Sequence, residues 1–214
     1  MNIVDTIVYL LAAFVAISAF YIQGQEFIVS MIRGQSVQSL LIAVLAFIMG
    51  GVEGTIDFFI LGILIIVLRA FLVNYFLERK VPNKKIYLYE KGVNLAYLFL
   101  VDLIFVVLSV IVIYSIVFSG IRLHNFLGNS TILVFPLMLF FLGLFLITSR
   151  RTTFTQIIGY VEEENALVLF AIFLLPIPII IETSVFLDVL ALVVISSIVA
   201  LEKLNHEKME ELRG

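Results

Sequence analysis

Seven apolar runs, separated by short charged or glycine-containing breaks, constrain this chain more than any other feature. They cover roughly 3–22, 35–51, 55–77, 93–118, 130–148, 153–175 and 178–202. Most approach or exceed the roughly 20 residues that cross a hydrocarbon core about 30 Å thick. With 63% hydrophobic residues and a mean hydropathy of +1.20, a soluble domain of 214 residues has too little interior to hide this surface. The chain therefore reads as an all-α integral membrane protein of about seven transmembrane helices. The first run starts with Asp5 instead of a basic segment and is long enough to span, so it reads as a helix and not as a cleaved leader. The second is short and ends in Gly50-Gly51, which predicts a span of little tilt or partial insertion.

Lysine and arginine give the orientation. One set of connections holds Arg33, Arg79, Lys80, Lys84, Lys85, Lys91, Arg150, Arg151, Lys203, Lys208 and Arg213, and the opposite set holds only Arg122. By the positive-inside bias, the amino terminus is outside and the carboxyl terminus is cytoplasmic. That alternation needs an odd number of spans. The organisation predicted is a five-helix membrane region at 1–148, a transmembrane hairpin at 149–203 turning at Pro176–Pro178, and a charged cytoplasmic tail at 204–214.

Several function classes are excluded early. A net charge of -3 carries no nucleic-acid signal, and the absence of cysteine removes disulfides and thiolate-bound metal clusters from this chain. His124 and His206 stand too far apart in sequence to suggest a metal site.

Ionisable residues inside the spans are the candidates for function. An aspartate at a helix centre costs about 2.5–3.5 kcal/mol on insertion scales. Glu164 lies thirteen residues past Arg151, and Asp188 fifteen before Lys203. Both depths come to about 20 Å at 1.5 Å per residue, which places the two acids level, near mid-membrane. That geometry suits lateral proton transfer between helices. Glu163 and Glu182 are secondary members of the same set. Successive helical residues point about 100° apart, so Glu162, Glu163 and Glu164 do not share a face. A later start to the sixth span would put these three in water, but it leaves only sixteen residues, Ala166 to Ile181, with two prolines. Burial is the better reading. Arg69 and Asp102 fall within the third and fourth spans at similar expected depth, as an ion pair that either locks two helices or modulates a relay. Glu53 and Asp57, at the outer ends of their spans, read as carboxylates facing water.

The segment from Arg150 onward resembles the K subunit of complex I, through Arg150-Arg151, Gly159, Glu164-Asn165 and Asp188. Val161 stands where that subunit has its first carboxylate, so the buried acid is displaced by about a turn. The whole chain is more similar to hydrogenase-4 component E, a membrane subunit of formate hydrogenlyase-type, group 4 hydrogenases. That similarity rests on Gly159-Tyr160 followed by Glu164-Asn165, on Glu182 and Asp188, and on Gln38-Ser39-Leu40 and Arg69. Asp102 is outside the family pattern. The resemblance implies a non-catalytic subunit of an oxidoreductase complex in the plasma membrane, contributing mid-membrane carboxylates to proton or sodium translocation. It implies no cofactor in this chain, with a nickel–iron centre and iron–sulfur clusters in partner subunits. The implied partners are hydrogenase-like membrane and peripheral subunits, an antiporter-like membrane subunit and the lipid bilayer. A stand-alone proton-coupled transporter or cation-antiporter accessory subunit is the alternative, but paired broken helices of an inverted repeat are missing from the first half.

Overall fold

The computed structural model describes residues 3–80, 94–119, 130–174 and Phe186. Among them no strand forms. The helices are α1 (Ile3–Gln23), α2 (Ile28–Glu53), α3 (Ile56–Arg79), α4 (Leu95–Phe118), α5 (Val134–Ser149, entered through a 3₁₀ turn at Ser130–Leu133) and α6 (Thr153–Leu174). Five segments, α1 to α4 and Ser130–Ser149, are long and apolar enough to cross a membrane. Helix α6 has 22 residues and carries the three glutamates. The expected seventh span and turn at Pro176–Pro178, the residues of the expected tail, both histidines, Arg122 and the lysines from 84 onward lie outside the described residues.

The second span is corrected by the structure. Helix α2 runs for 26 residues from Ile28, and it is not short. Arg33 does not delay its start, because its side chain reaches outward and pairs with Glu78 at 3.3 Å. A long cationic side chain can leave the apolar region while its backbone remains inside. The pair itself is exposed and contributes little to stability.

Local signals set the boundaries. Gly54 closes α2 at φ 67°, and its N–H bonds to the Gly50 carbonyl. Glycine takes this left-handed conformation without steric cost. Asn94 caps α4 by accepting from the Tyr97 N–H, and the Thr152 hydroxyl accepts from the Thr155 N–H at the start of α6. Pro136 stands in the first turn of α5, where its missing N–H breaks no helical bond.

Helix α2 is the hub, packed by α1, α3 and α6, while α5 joins α6 to α1 and α4. Val8, Ala12, Val15 and Ala19 recur at helical spacing on the buried face of α1. In lipid, burial of apolar groups does not itself draw helices together, so close packing must do so. Gly143 and Gly159 provide it. A Cβ on Gly143 would lie 2.8 Å from the Glu163 nitrogen, and one on Gly159 would lie 2.9 Å from the Ile147 nitrogen. Helices α5 and α6 therefore meet backbone to backbone.

One end of the bundle gathers the positive charge. Arg33 meets Glu78 there, and Arg150 meets the carbonyls that end α1. The start of α4 joins them, with Phe99 against Gly24. The opposite end carries Asp5, Glu53 and Asp57, of which Glu53 is exposed.

Candidate functional site

Helix α3 changes character at the site. Residues Ile65–Val73 form a π-helical segment with fully buried Arg69 at its centre. π-Helical turns are rare and recur at functional positions. The Asn74 N–H is taken by the Phe71 carbonyl. The Ala70 carbonyl, its usual α-helical partner, instead accepts the Ser36 hydroxyl at 2.8 Å and the Asn74 side-chain amide at 2.9 Å. Ser36→Ala is expected to destabilise this segment by about 0.6 kcal/mol, and by about 1.7 at most, as for interhelical hydrogen bonds in other membrane proteins. A fall of a few degrees in the melting temperature of the purified protein would register it.

Around Arg69 two other helices, α2 and α6, converge. Its Nη1 donates to Asn165 Oδ1 at 3.2 Å, and its Nη2 lies 3.9 Å from Glu164 Oε2. The Asn165 amide in turn donates to Gln38 Oε1 at 3.0 Å and Ser39 Oγ at 3.1 Å. Tyr160, one turn before Glu164, faces its carboxylate. Arg69, Gln38, Ser39 and Asn165 have no exposed surface, and Glu164 is 2% exposed. Glu164, Arg69 and Gln38 lie eleven, ten and ten residues from the basic ends of their helices. Each is thus about 15 Å deep, half the thickness of a hydrocarbon core.

Glu162 and Glu163 take different positions, as their angular separation requires. Glu162 is 1% exposed, faces the Gln38 side chain and lies within electrostatic reach of Asp102. Glu163 is half-buried beside Tyr160, with its backbone against Gly143. Glu182 and Asp188 lie outside the described residues.

The expected pairing of Arg69 with Asp102 does not form. Asp102 is buried, but its Oδ1 accepts from Gln23 Nε2 at 3.2 Å, and Arg150 is the cation within its reach. The reason is packing order. Helix α3 lies on α2, whereas α4 lies on α1 and α5, so these sequence neighbours are not paired in space.

Arg150 also departs from expectation. It is 2% exposed, not a solvated loop residue, and its Nη2 donates to the carbonyls of Gln23 and Gln25. A cation at the end of a helix satisfies carbonyls that have no further turn to bond. Arg151 beside it is exposed.

Gln23 and Arg150 were not expected at the site, and Glu162, although expected to be buried, had no place in the expected relay. A signal for Glu162 was present, since three carboxylates in one buried helix must face more than one neighbour. Gln23 and Arg150 are polar residues at helix ends, and sequence alone gives those a solvated role. Among the described residues no three histidine, cysteine or carboxylate side chains are placed to hold a metal. Comparison with family models, curated proteins and solved structures gave no match to this chain.

Proposed function

We propose that this chain is a membrane subunit of an energy-converting, group 4 hydrogenase-like oxidoreductase complex, and that its buried polar cluster serves ion translocation. One observation carries the reading. Gln38-Ser39, Arg69 and Glu164-Asn165, which are among the residues through which the sequence resembles hydrogenase-4 component E, are remote in the chain but meet in one buried polar cluster at mid-depth. Charged groups in such a place are costly to maintain and mark ion pathways, proton relays or binding sites.

In this account Glu164 is the group that gains and loses the proton. At 3.9 Å the Arg69 guanidinium attracts the carboxylate without a close hydrogen bond. Asn165 holds the guanidinium independently, so Arg69 stays in place when the charge on Glu164 changes. Asp188, Glu163 and Glu182 extend the relay toward an antiporter-like neighbour, with Arg69 as an electrostatic modulator. The proposed topology has seven spans in the plasma membrane, with the basic end of the bundle cytoplasmic. Electron transfer then belongs to partner subunits with nickel–iron and iron–sulfur centres.

Affinity purification of the tagged chain from its native membrane tests the assignment. Recovery of peripheral subunits containing nickel and iron together with an antiporter-like membrane subunit is the expected result. Recovery of the chain alone, active in proton-coupled transport after reconstitution, would replace this reading with that of a stand-alone transporter.

A further inference from the structure

A second group of buried polar residues lies between the Arg69–Glu164 cluster and the basic end of the bundle. Asp102 is seven residues into α4, about 10 Å deep, and Glu162 is nine into α6, about 14 Å deep. Gln23 ends α1 and donates to Asp102. Gln35 precedes Gln38 by three residues and so shares its face of α2. Each of these five side chains is at most 2% exposed.

Their hydrogen bonding is incomplete. Gln23 Oε1, both amide atoms of Gln35, Gln38 Nε2, Asp102 Oδ2 and Glu162 Oε1 make no hydrogen bond among the described residues. Buried polar groups seldom remain so, and where several lie near one another, water commonly completes them. Donors and acceptors are both present, as a chain of water molecules requires. The order in depth is also continuous, from Gln23 at the helix end through Asp102 to Glu162 and Gln38, which bonds the Asn165 of the central cluster.

We infer that Gln23, Asp102, Glu162, Gln35 and Gln38 line a water-bearing half-channel that carries protons between the basic end of the bundle and the Arg69–Glu164 cluster. A proton enters on one oxygen of Asp102, leaves to water, and is taken up by Glu162. Only O–H bonds form and break, and no electron moves. The inference rests on the ion-translocation reading but assigns that reading an access route and two residues, Glu162 and Asp102, that act as proton carriers.

The absence of native cysteine makes the route directly testable. Single-cysteine variants Asp102→Cys, Arg151→Cys and Glu53→Cys are made in the full complex, in sealed vesicles of both orientations. Each is treated with the impermeant reagent methanethiosulfonate ethylsulfonate, and added mass on this chain is read. Asp102→Cys is expected to label from the face that labels Arg151→Cys. No labelling of Asp102→Cys, or labelling from the Glu53→Cys face, overturns the route. Asp102→Asn provides an independent measurement because it retains an oxygen to accept from Gln23. It is expected to lose ion pumping in assembled complex, and normal pumping also overturns the route. Normal pumping by Asp102→Asn with loss in Glu164→Gln removes the half-channel alone. Normal pumping by Glu164→Gln removes the translocation reading beneath it.

Discussion

Arg69→Met is expected to destabilise the protein by about 3–5 kcal/mol, as for other buried ion pairs that lose one partner. The substitution leaves Glu164 2% exposed opposite an apolar side chain, and it takes from Asn165 Oδ1 the donor at 3.2 Å. Most of the loss comes from the stranded carboxylate and not from the attraction across 3.9 Å. The double variant Arg69→Met/Glu164→Met removes both charges and should recover most of the loss, because well-packed apolar pairs often replace buried ion pairs at little cost. Unfolding of each purified variant in mixed detergent micelles supplies the comparison. Equal destabilisation in the single and double variants would show that Arg69 acts through packing or through Asn165, and not through Glu164.

Gly143→Val should be comparably damaging for a different reason. The first added carbon already meets the Glu163 nitrogen at 2.8 Å, the Gly159 carbonyl oxygen at 3.1 Å and the Glu163 Cα at 3.2 Å. None of these is a side chain that can turn aside, so α5 and α6 must separate. Overpacking usually costs about 1–3 kcal/mol, and a backbone contact belongs at or beyond the upper end. Displacement of α6 also shifts Glu162, Glu164 and Asn165 relative to α2 and α3. Gly51→Ala is the control, since a Cβ at Gly51 has nothing within 4 Å. It should be neutral or stabilising by up to about 1 kcal/mol, as for glycine replacements in compatible backbone. Similar losses from both substitutions, measured by thermal unfolding, would point to a general intolerance of glycine replacement and not to this helix contact.

Apolar runs and their breakers were enough to place α1, α3, α4, α5 and α6 to within a few residues. These boundaries depend on local signals such as Gly54, Asn94 and Thr152. The start of α2 was missed because Arg33 looks like a terminus in sequence, while in three dimensions its flexible stem carries the charge to the bundle end. Burial of Glu164 was legible from its distance to Arg151. Its partner was not, because a one-dimensional pattern gives depth but not which helices are neighbours. Arg69 and Asp102 have similar depth as read from the sequence, yet they belong to different polar groups, divided by the packing of α3 on α2 and of α4 on α1 and α5. The π-helical segment carries no sequence mark, since its apolar residues suit an ordinary helix equally well. It is recognisable only when Ser36 and Asn74 are seen on the Ala70 carbonyl.

The most direct measurement of the central claim is ion pumping by inverted membrane vesicles from cells producing Glu164→Gln, with assembly checked by copurification. This substitution preserves size and removes the carboxyl group opposite Arg69 that is proposed to carry the proton. The account predicts that the complex assembles and its redox activity persists while pumping is lost. Assembled complex that pumps at the unmodified rate would contradict it, and would leave the Arg69–Glu164–Asn165 cluster as a structural tie between α2, α3 and α6.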